Sequence, residues 1–330
     1  MRFATLRDGS RDGRLHLVSR DGTRCLSTAA IAETLQQALD DWHGLRSSLQ
    51  RLADQLEDGD HPHVLPFDPR RCQAPLPRAW QWCDASAFLH HVDLLTQAFK
   101  MPPIESAAAV PLMYQGAADD LLGPHDDVPL PSEADGIDVE GEFGVITTEV
   151  RMGASPQEAL SQVALVVQIN DWSLRALGAT EVRTGMGFLQ AKPSTAFAPL
   201  AVTPDELGDA WSGGRVHLDL HVAIDDAPLG RPNGREMNFS FGELIAHAAR
   251  TRRLSAGTII GSGTVSNRDR AAGSSCLAER RMIEMIDHGQ AKTPFMSFGS
   301  RVRMAAKHPD GRPGPFGEIQ QRVVAARGAE

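Results

Sequence analysis

The sequence predicts an α+β fold built from short strands, helices and many turns. Its 330 residues include 30 glycines and 21 prolines, which interrupt regular structure often. Hydrophobic residues make up 42% and charged residues 23%, the usage of an ordinary globular protein. Segments that alternate apolar and polar residues lie beside segments in which apolar residues recur every three or four positions. Strands and helices are therefore both expected.

The charge and the cysteines of the chain argue against several classes of protein. The formal net charge is −9, whereas nucleic acid and anionic lipid are bound through clustered Lys and Arg. No apolar run approaches the about 18 residues of a membrane span, and the first residues lack the apolar core of a signal peptide. The four cysteines form no CxxC pair, which favours reduced thiols. We expect a cytoplasmic protein with no nucleic-acid or membrane partner.

The N-terminal part of the chain predicts a small α/β domain. Alternation over residues 14–18, the turn at Asp21-Gly22 and the returning segment 23–26 predict a β-hairpin. Apolar residues then recur with helical spacing from 31 to 56, which predicts one or two amphipathic helices with a break near Gly44. Prolines at positions 62, 66, 69, 75 and 77 are typical of a linker. We therefore divide the chain into a small domain, residues 1–75, and a larger domain, residues 76–330.

Two capping patterns and one alternating segment define elements of the larger domain. Ser155, Pro156 and Glu158 have the spacing of a helix start, and the apolar run to Ile169 predicts that this helix continues. The same capping spacing recurs from Ser240 to Glu243 and predicts a second helix. Strict alternation over residues 216–224 predicts a half-buried strand that ends in an Asp-Asp turn.

Glu140 and Glu142 are the first candidate functional residues. On a strand their side chains point to the same face. Two such carboxylates repel each other unless a cation neutralises them, and hard divalent cations prefer oxygen ligands. A solvated acidic edge strand is the commoner explanation of an isolated E-x-E pattern, because charged residues usually face water.

Other polar segments allow a structural and a functional interpretation each. Asp171 and Arg175 follow the predicted helix, either as its terminus or as a third carboxylate with an anion-binding residue. Asp84 and His91 are seven residues apart, which on a helix puts them on one face. His91 is either a general base or a partly buried polar residue; the adjacent His90 would point about 100° away and would not share an ion with it.

Two loops could also contribute to a site. Lys192 lies among small residues, where it is either exposed or a fixed positive charge beside an oxyanion. The glycine-dense segment 261–266 would let a ligand approach backbone amides. It lacks both the G-K-[S/T] ending of a phosphate loop and the dinucleotide fingerprint.

The order of these motifs resembles the fumarylacetoacetate hydrolase family, in its two-domain bacterial form. The resemblance runs from about residue 80 to 305 and is carried by five motifs: Asp84…His91, Glu140-Gly-Glu142, Asn170-Asp171-Trp172-Ser173-x-Arg175, Lys192 and Gly263-Thr264-Val265-Ser266. It implies a mixed β-roll for the larger domain and a homodimer with one site per subunit. Residues 1–70 are similar, more weakly, to the small N-terminal domain of such proteins.

The resemblance also implies roles for individual residues. The metal ligands would be Asp84, Glu140, Glu142 and Asp171, around Mg²⁺ or Ca²⁺, with Mn²⁺ as a further choice and no organic cofactor. His91 would activate water, and Glu279 lies near the position of the glutamate that orients it. Arg175 and Lys192 would lie at the oxyanion. The residues in contact with the substrate would be Tyr114, Arg175 and Thr264.

The implied reaction is hydrolysis of a C–C bond in a small anionic diketo acid. Fumarylacetoacetate, an intermediate of tyrosine breakdown, is the first expectation, with fumarate and acetoacetate as products. Three positions depart from the family pattern and bear on the choice of substrate: Gly178 stands where animal enzymes have a glutamine, Ser86 replaces a tyrosine and Ala196 replaces a threonine near the metal. The alternatives are an acylpyruvate hydrolase, a 2-oxo acid decarboxylase, hydratase or isomerase of the same fold, a structural calcium site, and a module that binds small acids.

Overall fold

The computed structural model describes residues 1–59, 61–102 and 105–326. The strands are β1 Arg2–Leu6, β2 Arg14–Val18, β3 Arg24–Ser27, β4 Leu65–Pro66, β5 Gln81–Ala85, β6 Met113–Gly116, β7 Val128–Leu130, β8 Ile137–Asp138, β9 Gly141–Thr147, β10 Val163–Asn170, β11 Ser173–Leu174, β12 Ala196–Phe197, β13 Ala201–Val202, β14 Trp211–Ser212, β15 Arg215–Val216, β16 Asp219–Ile224, β17 Ala227–Gly230, β18 Thr258–Gly261, β19 Arg301–Lys307 and β20 Pro313–Ala325. The α-helices are α1 Leu35–Asp40, α2 Trp42–Asp58, α3 Leu89–Ala98, α4 Pro156–Leu160, α5 Arg175–Thr184, α6 Phe241–Ala248 and α7 Leu277–His288.

Two large sheets form the framework and confirm the predicted α+β architecture. The larger has eleven strands in the order β4-β3-β2-β1-β13-β10-β9-β18-β5-β6, with β12 paired to β10. The other has five strands in the order β17-β16-β19-β20-β7. Both are mixed, because β18 and β5 run parallel, as do β20 and β7. The rings of Phe143 in β9 and Phe316 in β20 lie 6.0 Å apart, so the two sheets share one core.

The N-terminal segment extends the larger sheet. The predicted β-hairpin is confirmed as β2 and β3, and β1 pairs with β13 of the larger domain. The predicted helices are α1 and α2, but the break lies at Asp41 and not at Gly44. Asp41 has a non-helical backbone, and its carboxylate folds over the next turn, where a Cβ at Gly44 would lie 2.5 Å from Asp41 Oδ1. The division at residue 75 stays a prediction.

The helix predicted from Ser155 to Ile169 is wrong in its second half. The capping box at Ser155 is confirmed, but α4 ends at Leu160 and the apolar run forms β10. β10 lies inside the sheet between β9 and β13, and all but its first residue are buried. A strand covered on both faces has a continuous apolar sequence, which periodicity alone does not distinguish from a buried helix.

The remaining elements follow the sequence. The capping box at Ser240 opens α6, as predicted. The alternating segment forms β15 and β16, and positive φ angles at Asp225 and Asp226 form the predicted turn. Among residues 1–59, 61–102 and 105–326, no helix combines the length and apolarity needed to cross a bilayer.

A buried carboxylate cluster beside a histidine–glutamate pair

Four adjacent strands bring the candidate carboxylates together. Asp84 near the end of β5 lies opposite Gly261 of the parallel strand β18. β9 runs antiparallel to both β18 and β10, so its N-terminal end lies beside their C-terminal ends. Glu140 and Glu142 are at that end of β9, and Asp171 directly follows β10. The register of the sheet therefore places all four carboxylates at the same end of these neighbouring strands.

The four carboxylates form a compact buried cluster. One oxygen each from Asp84, Glu140, Glu142 and Asp171 can be chosen so that all lie within 4.8 Å of one another. Each residue is at most 5% exposed. The solvated edge strand considered for Glu140 and Glu142 is therefore wrong. The expectation that Asp84 and His91 lie on one helix is also wrong, because Asp84 is in β5 and His91 is in α3.

The cluster is under electrostatic strain as a set of bare carboxylates. Neither carboxylate oxygen of Glu142 has a hydrogen-bond partner among the described residues. Burial and the charges of Asp84 and Asp171 raise the pKa of Glu142 well above its usual value. Burial, with the charge of Asp171, raises the pKa of Asp84 to about 8. A divalent cation would relieve both penalties, and an oxygen-only donor set fits a hard cation better than zinc. The cluster could therefore hold a metal ion.

The buried Lys192 and the partly buried Arg175 compensate part of the negative charge. Lys192 Nζ donates to Asp171 Oδ2 at 2.7 Å and also to Glu140. Arg175 Nη1 lies 2.7 Å from Glu140 Oε1. Burial alone would raise the pKa of Glu140, but Lys192 and Arg175 outweigh it and lower that pKa to about 2. The four acids and two bases, all ionised, leave two negative charges, which one divalent cation would neutralise.

Hydroxyl and amide groups hold the carboxylates in place. Asp171 accepts from Tyr114 Oη at 2.5 Å and from Thr195 Oγ1 at 2.6 Å. Thr195 is a site residue that the sequence does not predict, because the family resemblance places this threonine at position 196. The backbone amide of Gly263 donates to Asp84 Oδ1 at 3.0 Å, and Thr264 is buried directly after it. The glycine-dense loop thus offers its amide to a carboxylate of the cluster.

His91 and Glu279 form a pair at the side of the cluster. His91 in α3 and Glu279 in α7 are 188 residues apart in sequence, and Nδ1 of the imidazole lies 2.9 Å from Glu279 Oε2. Glu279 is 1% exposed. When Nδ1–H donates to this carboxylate, Nε2 is left as a proton acceptor. His91 is close enough to Glu140 for a protonated imidazole to help lower the pKa of that carboxyl.

The ring of Tyr114 contacts an apolar loop, while its hydroxyl contacts Asp171 and Lys192 Nζ lies 5.5 Å from the ring centroid. The rings of Tyr114 and Phe188 meet edge to face at 5.2 Å. Gly178 lies beside Phe188, since a Cβ added there would lie 3.9 Å from its ring. Met186 and Leu189, on the same loop as Phe188, are 90% and 83% exposed. This approach to the cluster therefore presents aromatic and aliphatic surface.

Two family models match the chain. The model described as "Fumarylacetoacetate (FAA) hydrolase C-terminal" matches residues 81–324. The model described as "Fumarylacetoacetase N-terminal domain 2" matches residues 1–78. Between them they cover nearly all of the described residues.

Individual relatives agree with these matches. A 2,4-didehydro-3-deoxy-L-rhamnonate hydrolase of Sphingomonas sp. (strain SKA58) is 32% identical over 157 residues, which are 47% of this chain and 52% of the relative. The chain thus spans about half the length of the curated relatives it matches. These curated relatives are hydrolases by name.

Solved structures share the fold over the full length. Maleylpyruvate hydrolase from Sphingobium sp. SYK-6, in complex with manganese(II) ion and pyruvate, has a TM-score of 0.67 at 18% identity and covers 99% of this chain and 100% of its own. Fumarylacetoacetate hydrolase from psychrophilic Exiguobacterium antarcticum has a TM-score of 0.65 at 17% identity, with 98% and 99% covered. At these identities the likeness shows the fold alone.

Proposed function

The chain belongs to the fumarylacetoacetate hydrolase family, and we propose that it hydrolyses a C–C bond in a small β-diketo acid. The observation that carries the proposal is the contact of 2.9 Å between His91 Nδ1 and Glu279 Oε2 beside the carboxylate cluster. Hydrolysis needs a base for water. Decarboxylation on the same fold needs no base for water, whereas an isomerase or a hydratase could also use this pair. Cleavage of one diketo acid into two acids distinguishes hydrolysis from these reactions.

His91 and Glu279 handle the proton in this scheme. Glu279 holds the imidazole, whose Nε2 takes a proton from water as the hydroxyl adds to the acyl carbon. When the C–C bond breaks, its electron pair goes to the carbon beside the second carbonyl, and His91 returns the proton there. A positioned base contributes about 10²–10⁴-fold in rate.

Lys192 and Arg175 supply fixed positive charge next to the reacting group. Both side chains contact Glu140, and Lys192 also contacts Asp171, so they are held at the edge of the cluster. Their pKa values are raised: burial would lower them, but the neighbouring carboxylates prevail. Preorganised charges of this kind stabilise a developing oxyanion. A divalent cation held by Asp84, Glu140, Glu142 and Asp171 would add Lewis-acid polarisation of the two diketone oxygens.

The residues around Tyr114 favour an acylpyruvate as the second candidate substrate beside fumarylacetoacetate. Fumarylacetoacetate carries a carboxylate at each end, whereas an acylpyruvate can end in an uncharged acyl tail. Phe188, Gly178 and the ring of Tyr114 offer this tail aromatic and apolar surface, and the nearby charges of Lys192 and Asp171 are paired with each other. Lys192 and Arg175 are paired with carboxylates of the cluster, and Arg175 Nη2 is left for one substrate carboxylate. We propose Mg²⁺, Ca²⁺ or Mn²⁺ as the metal and a homodimer as the assembly.

An assay of purified protein tests the proposal. Protein freed of metal and then supplied with Mg²⁺ or Mn²⁺ is mixed with fumarylacetoacetate and with a series of acylpyruvates, and loss of the diketone absorbance is followed. Metal-dependent formation of two acids from one diketo acid is the expected result. Release of carbon dioxide, or conversion to an isomer without cleavage, would reject hydrolysis. The apparent mass in solution by light scattering tests the dimer.

A further inference from the structure

Asp138 is a buried carboxylate that the proposed reaction does not use. It is 0% exposed and accepts four N–H donors. Oδ1 accepts from the amides of Val139 at 2.8 Å and Leu277 at 2.7 Å. Oδ2 accepts from the amide of Ala278 at 2.9 Å and from Arg175 Nε at 2.8 Å. One side chain therefore ties strand β8 to α7 and to the first residue of α5.

The contacts of Asp138 with α7 fix the helix that carries Glu279. Leu277 and Ala278 begin this helix, and the first amides of a helix have no partner within it. A negative charge at this end is also favoured by the helix dipole. Glu279 is the next residue, and its amide is capped by Cys276 Sγ. The place of Asp138 therefore sets the place of Glu279, one residue beyond its own contacts.

The contact with Arg175 fixes the guanidinium. Nε donates to Asp138 and Nη1 contacts Glu140, so two positions of the group are held by carboxylates. Nη2 is buried with no hydrogen-bond partner among the described residues. Arg175 is thus locked in an orientation that leaves one N–H₂ group for another ligand.

We propose that Asp138 is a positioning residue that sets the distance between Arg175 and the His91–Glu279 pair. It joins two parts of the proposed machinery that come from α5 and α7, and it is itself outside the set of metal ligands. The inference rests on the proposed function of the site. It predicts that loss of Asp138 slows turnover by displacing Arg175 and Glu279, and that the carboxylate cluster stays intact.

Asp138→Asn is the first test. The variant keeps the shape, but one acceptor oxygen becomes an N–H₂ donor that faces N–H groups in either orientation. We expect kcat to fall about 100-fold, the cost of a misplacement of about 1 Å. Mn²⁺ affinity by titration calorimetry should stay within about threefold, since all four ligands remain. An unchanged kcat, or a loss of Mn²⁺ affinity as large as the loss in kcat, would overturn the inference.

A double-mutant cycle separates positioning from general stability. If Asp138 acts through Glu279, the variant Asp138→Asn/Glu279→Gln should be no slower than the slower single variant, within about threefold. Additive losses would contradict the inference. Glu158→Gln is the matched control, because Glu158 also accepts backbone N–H at a helix start but belongs to α4. Its kcat should equal that of the unmodified protein.

A pair of variants at Leu277 covers the case in which Asp138→Asn does not fold. Leu277→Pro removes the amide that donates to Asp138, at the first helical position, where proline is tolerated. The preceding Cys276 is extended, with φ −147° and ψ 157°, as proline requires. Leu277→Ala removes a similar part of the side chain and keeps the amide. Slower turnover in Leu277→Pro than in Leu277→Ala supports the inference, and equal rates overturn it.

A readout without substrate keeps this test separate from the proposed function. The Nδ1 proton of His91, bound to a buried carboxylate, should give a downfield NMR signal that His91→Asn lacks. In Asp138→Asn this signal should move or broaden, and in Glu158→Gln it should not. An unmoved signal in Asp138→Asn overturns the inference, whereas an unmodified protein that cleaves no diketo acid overturns the proposed function alone.

Discussion

The carboxylate cluster and the His91–Glu279 pair are neighbours in space, but the fold holds them in different ways. The four carboxylates sit at the ends of hydrogen-bonded strands within an eleven-stranded sheet. His91 and Glu279 come from two helices and meet through a single contact between side chains. The cluster is thus built into the sheet, whereas the pair depends on how α3 and α7 dock. Changes in one region should be separable from changes in the other.

Glu142→Gln should produce the largest effect, because it removes a carboxylate from the cluster. Partners outside a metal's ligand set already contribute about 10–100-fold, so loss of a ligand should reduce Mn²⁺ affinity by more than about 100-fold. Turnover should be abolished with it. The His91 NMR signal should remain, since the pair is held by helices. Calorimetry and NMR on the same sample check both halves, and a variant that binds Mn²⁺ normally would contradict the ligand set.

His91→Asn should give the reverse pattern. Without the base, kcat should fall by about 10²–10⁴-fold, while Mn²⁺ affinity stays unchanged because the four carboxylates are untouched. His90→Asn is the matched control, since His90 precedes it in α3 and has no hydrogen bond to Glu279. If His91→Asn also lost the metal, or His90→Asn lost as much activity, the assigned role would be wrong.

Metal affinity should rise with pH through the neutral range, because Asp84, with a pKa raised to about 8, and Glu142, with a pKa raised well above its usual value, must lose their protons to bind the metal. Burial and the charge of Asp171 raise the pKa of Asp84, and burial with the charge of Asp84 raises that of Glu142. Protons therefore compete with the metal at neutral pH. Because these pKa values are raised in the folded state, the free energy of unfolding of the metal-free protein falls as the pH rises and the two groups ionise. One displaced proton per ion would change the affinity about tenfold per pH unit below the pKa.

Calorimetry in two buffers of different ionisation enthalpy tests this pH dependence. Proton release should be detected near pH 7 and should vanish above the raised pKa values. Binding without proton release at pH 7 would show that Asp84 and Glu142 are already ionised. The pH dependence belongs to the cluster alone, so it should persist in His91→Asn.

Thr195→Val should have the smallest effect of these changes. The variant keeps the shape of the side chain and removes the hydrogen bond from Oγ1 to Asp171 Oδ1. Loss of one outer partner should weaken Mn²⁺ binding about tenfold. Thr195→Ser, which keeps the hydroxyl, should bind as the unmodified protein does. Equal affinities in both variants would mean that this hydroxyl does not hold Asp171.

The same contrast explains how much the sequence could predict. The juxtaposition of Glu140 and Glu142 follows from the two-residue period of a strand, and the capping boxes at Ser155 and Ser240 are local patterns. These features need no knowledge of the rest of the chain. The apolar run before Asp171 was mistaken for helix because a strand buried on both faces has no polar period.

Features that depend on contacts between distant elements could not be predicted from local patterns. Asp138 accepts from the amide of Leu277, 139 residues away, and nothing in its neighbourhood marks it apart from the glutamates that follow. Thr195 was missed because a loop has no period to fix which of two adjacent residues faces the site. Glu279 was placed near His91 only through the family resemblance, since the docking of α3 on α7 decides the contact.

In the proposed reaction, His91 directs water onto an acyl carbon at the carboxylate cluster. The most direct test is to let the protein cleave a diketo acid in oxygen-18 water and to determine the masses of both products. Hydrolysis predicts one oxygen-18 atom in the carboxylate newly formed at the broken bond. It also predicts that kcat falls by about 10²–10⁴-fold in His91→Asn. Cleavage products without the label, or carbon dioxide in their place, would contradict the account.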